Sequence, residues 1–99
     1  MINQAVLVGR LVEKPREMVN QKFFITLAIP RPYKNSSGEY ETDFVDVMLY
    51  KNIAENAKEY CDKGDILGIK GRIESEVVDN KKYTIIVAEK VTFLSSKKE

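Results

Sequence analysis

Histidine and tryptophan are absent from this sequence, and Cys61 is its only cysteine. Without histidine, the commonest general base, the commonest metal ligand and every histidine-based triad are gone. One cysteine rules out a disulfide within the chain and a cysteine metal cluster. No apolar run approaches the roughly 20 residues that cross a bilayer. The opening "MINQAVLVGRL" has neither a basic region ahead of its apolar stretch nor a small-residue cleavage site. The expectation is a cytoplasmic protein with no membrane partner. No pair of acids is placed for acid–base chemistry and no glycine loop is built to cradle phosphate, so no enzyme, metal or cofactor is expected. Charge of one sign is also missing. Sixteen basic residues face fifteen acidic ones, a formal net charge of +1, whereas a non-specific duplex binder is usually clearly basic. If nucleic acid is the ligand, the cations must gather on one surface and something besides charge must contribute.

What is present is enough for one small globular domain with a single core, since 43% of the 99 residues are apolar. "NQAVLVGRL", residues 3–11, reads as a first strand, with Gly9 marking a bulge or bend. After the turn "EKPRE", "KFFITLAIP" is a second strand with Phe23, Ile25, Leu27 and Ile29 as core, stopped by Pro30. "RPYKNSSGEYE" is polar and reads as a long exposed loop. "DFVDVMLY" is a third strand. The period then becomes helical in "NIAENAKEYCDKG", where Ile53, Ala54, Ala57, Tyr60 and Cys61 recur on one face. Asn52 is the expected N-cap, with Glu55 in the capping-box position, and Gly64 the expected stop. "DILGIKGRIESEVV" is a fourth strand with Leu67, Ile69 and Ile73 inward, "DNKK" a hairpin turn, and "YTIIVAEKVTFL" the last strand or strand pair. An all-β chain of five strands with one helix between the third and fourth matches the OB-fold, a five-stranded Greek-key barrel. Residues 1–94 would form this domain and 95–99 a short polar end.

The third strand poses the functional question. Its side chains alternate, so Val45, Val47 and Leu49 form a core face while Phe44, Asp46, Met48 and Tyr50 face outward. A face meant only for water would not carry two aromatics and a methionine. Phe44 and Tyr50 stand six residues apart, about 20 Å at strand rise, room for several nucleotides. Aromatic stacking takes any base, and Met48 between the two rings can fill an irregular gap. Tyr33 lies between Arg31 and Lys34 at the root of the polar loop, a pairing suited to a base and its phosphate. Arg10, Arg31, Lys34, Lys51, Lys70 and Arg72 are the candidate phosphate contacts. For any one of them, a solvated strand face is the plainer explanation. Outward aromatics on a small sheet also serve as subunit interfaces. Asp46 interrupts the face, either paired with a neighbouring cation across strands or repelling phosphate.

Five collinear pieces, "NQAVLVGRL", "ITLAIPRPYK", "DFVDVMLYKNIAENAKEYCDKGD", "IKGRIES" and "IVAEKVTFL", resemble the bacterial-type single-stranded DNA-binding proteins over nearly the whole chain. The resemblance implies a non-enzymatic protein that coats single strands in replication, recombination and repair, usually as a homotetramer of OB-folds. It also implies base stacking at the end of the second strand, on the third strand and on the hairpin between the fourth and fifth. In this sequence those places hold Tyr33, the pair Phe44 and Tyr50, and Val78.

Two departures stand out. The hairpin run "ESEVVDNKK" is short and carries Glu74, Glu76 and Val78 where positive charge and an aromatic would be expected, which should shrink the footprint. The family's flexible linker and acidic tail ending in Pro-Phe have no counterpart before the final "FLSSKKE". A trimmed chain or a short form from a phage or mobile element would each fit, and no tail-mediated enzyme recruitment is expected. The first strand, apolar around Val6, Leu7 and Val8, is the candidate for pairing between copies, and the resemblance favours a tetramer over a dimer. Two rivals remain: a dimeric primosome accessory with weaker single-strand affinity, and a protein–protein adaptor using Phe44, Met48 and Tyr50 as its hot spot.

Overall fold

The computed structural model describes residues 1–18 and 22–95. The elements are β1 (Ala5–Leu11), β2 (Arg16–Glu17), β3 (Lys22–Lys34), β4 (Tyr40–Tyr50), α1 (Lys51–Tyr60), β5 (Ile66–Val78) and β6 (Lys81–Phe93). The sheet runs β1-β5-β6-β4-β3-β2, and a further pairing of β1 with β3 closes five strands into a barrel, the two-residue β2 lying outside it on β3. The helix falls between β4 and β5, the third and fourth barrel strands, as the sequence predicts. All pairings are antiparallel except β4 with β6, where Val47 and Met48 meet Ile86 and Val87.

Alternation along the strands sends Leu11, Phe23, Ile25, Leu27, Val47, Leu49, Leu67 and Ile69 into the barrel. Ala54, Ala57 and Cys61 of the helix side close onto the same core. At Gly9, where β1 passes from β5 to β3, a Cβ would lie 2.8 Å from Ile29 Cγ1, so only glycine admits the approach. Gly71 is tighter still, with the Val87 carbonyl oxygen 2.1 Å from its would-be Cβ. Just there the β5–β6 register shifts: Gly71 opposes Ala88 and Lys70 opposes Lys90, leaving Glu89 as the extra residue of a bulge. The bulge changes the parity of β6, so Ile86 and Ala88 pack against the core before it and Val91 after it.

Several expectations are corrected. β3 does not stop at Pro30 but runs to Lys34, and β4 begins at Tyr40, so the long loop shrinks to residues 35–39. The ladder is irregular between Pro30 and Lys34, which is where prolines lacking an N–H can sit. Asn35 organises the turn, its Oδ1 accepting the backbone N–H groups of Ser37 and Glu39. The helix starts two residues early with Tyr50 as N-cap and no side-chain cap, so Asn52 does not cap it. It ends at Tyr60 with Cys61 extended, and Gly64, at φ 95°, turns the following loop instead. Tyr60 is exposed, its ring 6.0 Å from that of Phe93. Ile73 is exposed as well, because the β1–β5 ladder ends at Gly71 and the strand has left the barrel.

The β5–β6 hairpin is long rather than short. Its rungs continue from Ile73↔Ile86 to Val78↔Lys81, closed by Asp79 and Asn80, both at positive φ as a two-residue hairpin turn requires. Asn3 ties its root to the N-terminus, its carboxamide donating to the Ile73 carbonyl at 2.7 Å and accepting the Ile73 N–H at 2.8 Å. Most of the expected polar end, residues 96–99, lies outside the described residues.

Candidate nucleic-acid interface

Cross-strand register assembles the outer face of the barrel row by row. Residues directly opposite share a side of the sheet. One row is Arg10, Ala28 and Phe44, and the next is Thr26 and Asp46. Then come Arg16, Phe24, Met48, Val87 and Arg72, and finally Lys22 and Tyr50. Phe44 is 67% exposed and Tyr50 43%. Met48 is only 1% exposed, because Phe24 and Val87 flank it in register on both sides. The expectation that Met48 lies open between the rings is therefore corrected. It is a buried part of the floor that carries the two aromatics.

The hairpin completes a wall at the Tyr50 end. Glu76 Oε2 lies 3.8 Å from Lys22 Nζ, so this arm reaches the row that holds Tyr50. Tyr83 is directly opposite Glu76 and 50% exposed. It shares Glu76's side and so faces the same groove. Val78 is exposed at the hairpin tip, opposite Lys81. Sequence reasoning missed Tyr83. The signal was available, since "KKY" interleaves cations and an aromatic as "RPYK" does. Tyr40 was missed too. It belongs to the outward set of β4, with Lys34 Nζ 5.8 Å above its ring. Tyr33 is exposed at the far end of β3.

The cations divide into two groups. Arg31 is clamped by carboxylates of β4: Nη2 lies 2.9 Å from Asp43 Oδ1 and Nη1 2.8 Å from Glu41 Oε1. This pairing, first through the hydrogen bonds and then through charge, raises the guanidinium pKa, and hydrogen bonds from Arg31 hold Asp43 below the usual carboxylate range. Arg72 lies 2.6 Å from Glu74 and 3.2 Å from Glu89, and Lys70 3.4 Å from the other oxygen of Glu89. Hydrogen bonds from Arg72, then Lys70, lower the Glu89 pKa. Arg10, Lys34 and Lys51 have no ion pair among the described residues, although Arg10 Nη1 donates to the Gly64 carbonyl at 2.9 Å. Among the described residues Asp46 meets neither a lysine nor an arginine directly. Its Oδ1 accepts the Thr26 hydroxyl at 2.7 Å.

A barrel with aromatics and cations on one open face fits stacking and phosphate contact together. Residues 2–94 match the single-strand binding protein family. The chain belongs to that family. It is 41% identical to single-stranded DNA-binding protein 2 of Staphylococcus aureus (strain COL), covering 98% of this chain and 76% of that protein. It is 37% identical to single-stranded DNA-binding protein B of Bacillus subtilis (strain 168), covering 98% and 94%. Among solved structures, the Plasmodium falciparum SSB complex with ssDNA superposes at a TM-score of 0.78 over 96% of both chains, with 21% identity. This second likeness concerns the fold alone. Among the described residues, part of the β1 edge is open as well. Residues Ala5–Gly9 pair with β5 on one side, while β3 meets only Arg10 and Leu11 on the other. Val6 and Val8 are exposed, and Leu7 turns inward against the core.

Proposed function

We propose that the chain binds and protects single-stranded DNA, largely without regard to sequence, during replication, recombination and repair, and performs no catalytic step. Bases stack on Phe44, Tyr50, Tyr33 and Tyr83, while Arg10, Lys34 and Lys51 meet phosphates, joined by Arg31, Lys70 and Arg72 where phosphate displaces their carboxylates. The observation that carries this reading is the exposure of Phe44 and Tyr50 on a face whose floor, Met48, is buried. Rings presented on a rigid floor suit stacking, worth about 1–3 kcal/mol per base. The open β1 edge suits pairing with a second copy, and the exposed Val6, Val8 and Leu94 beside it suit packing of two such pairs into a tetramer. The place of action is the cytoplasm, on exposed DNA.

The test is fluorescence anisotropy with labelled oligothymidine and a matched duplex across a salt series. Tight single-strand binding with poor duplex binding is expected, and Phe44→Ala or Tyr83→Ala should each lose about 1–3 kcal/mol. No binding at low salt would overturn the reading and leave the aromatics to a protein partner.

A further inference from the structure

The row between Phe44 and Met48 holds a carboxylate where a path of phosphates would want none. Asp46 is exposed on the outer face, directly across from Thr26. The Thr26 hydroxyl donates to Asp46 Oδ1 at 2.7 Å, which fixes the side chain. Arg16 Nη1 lies 3.4 Å from the same hydroxyl oxygen but spends its charge on Glu13. Among the described residues no cation pairs with Asp46. The result is an oriented acceptor without a direct ion pair among the described residues, two residues from Phe44, about 7 Å along the strand. Phosphate is repelled from such a group. A base lying against Phe44 reaches it with an edge.

Carboxylates accept hydrogen bonds from exocyclic amino groups, as Asp and Glu do from cytosine N4. Guanine and adenine also carry an amino group. Uracil and thymine offer only N3–H, set between two carbonyl oxygens that the carboxylate repels. We propose that Asp46, held by Thr26, reads the edge of the base beside Phe44, favouring amino-bearing bases over thymine and uracil and turning the sugar–phosphate chain away from the floor. This rests on the single-strand reading and refines it, giving a largely sequence-tolerant surface one selective position.

The test compares labelled oligodeoxycytidine with oligodeoxyuridine at neutral pH by anisotropy. The two pyrimidines differ at the edge in question and have no methyl group between them. The wild-type chain should prefer deoxycytidine by about fivefold, the low end for a base-edge contact. Asp46→Ala should bring the ratio to one while strengthening deoxyuridine binding, and Thr26→Val should lower the ratio by loosening the carboxylate. Equal binding by the wild-type chain, which needs no variant to fold, would overturn the inference and leave single-strand binding standing. A preference that persists in Asp46→Ala would do the same. Failure of both oligonucleotides to bind would overturn the single-strand reading itself, and this inference with it.

Discussion

Salt dependence is where the intramolecular ion pairs should be most visible. When a cation neutralises a DNA phosphate, the counterion that phosphate held is released, and each such contact contributes about −0.7 to the slope of log affinity against log salt for a single strand. A cation already paired with its own carboxylate behaves differently. The phosphate frees one counterion, but the abandoned carboxylate collects another, and the net release is close to zero. Six cations are candidates for phosphate contact, and Arg31, Lys70 and Arg72 are ion-paired. Six unpaired contacts would give a slope of about −4 per chain, whereas three give about −2. A tenfold rise in salt should therefore cost about 100-fold in affinity rather than about 10,000-fold. The perturbation is Glu89→Gln. It frees Lys70, whose only ion pair among the described residues is Glu89, but leaves Arg72 on Glu74. The slope should steepen by about 0.7, and by about 1.4 when Glu74→Gln is added. The assay is anisotropy with an oligonucleotide short enough to occupy one subunit, and melting curves should change little because exposed ion pairs add little stability. A wild-type slope near −4, or a double variant with the wild-type slope, would refute the reasoning.

Other outcomes follow from the same geometry. Met48→Ala should cost about 2–5 kcal/mol in denaturant unfolding, as for other buried side chains, and a loss below about 1 kcal/mol would contradict its role as floor. Gly71→Ala places a Cβ 2.1 Å from the Val87 carbonyl oxygen, so the variant should melt far below the wild type or fail to fold; an unchanged melting temperature would sink the close-approach argument. Asp43 and Glu89 are held low by hydrogen bonds from Arg31 and Arg72 respectively, so their contribution to stability is whole above the ordinary carboxylate range near pH 4 and is lost as the pH falls through their depressed values. With no histidine in the chain, melting temperatures should be flat from about pH 7 to pH 5 and fall only below about pH 4. A decline already complete at pH 5 would mean that other groups govern acid unfolding.

The barrel was legible because alternation in "KFFITL" and "DFVDVMLY" and the change of period at Asn52 mark strand, strand and helix without help from distant residues. Phe44 and Tyr50 were legible for the same reason. Met48 was not, since its burial comes from Phe24, 24 positions before it on one neighbouring strand, and Val87, 39 positions after it on another. Tyr83 depends likewise on a register with Glu76 and on the reach of Glu76 to Lys22. The extension of β3 beyond Pro30 was hidden because proline normally ends a ladder, and only the irregular pairing up to Lys34 shows how it is accommodated. Of the cations, Arg10, Lys34, Lys51 and Lys70 are exposed while Arg31 and Arg72 are half-buried, and apart from Glu74 on Arg72's own strand the paired carboxylates lie across strands, where local pattern says nothing.

Glu89 joins two properties that usually vary independently. It is the extra residue of the β6 bulge, set between Ala88 and Val91 on the core side, and it is the anion that holds Lys70 and Arg72. Loss of its codon would leave Ala88, Lys90 and Val91 in plain alternation opposite Gly71, Lys70 and Ile69, removing the bulge together with the anion, while exchange of the residue alters only charge. A lineage under selection for a tighter or looser grip on DNA can therefore change the charge here by substitution and leave the backbone alone, whereas deletion would change the bend of the strand as well.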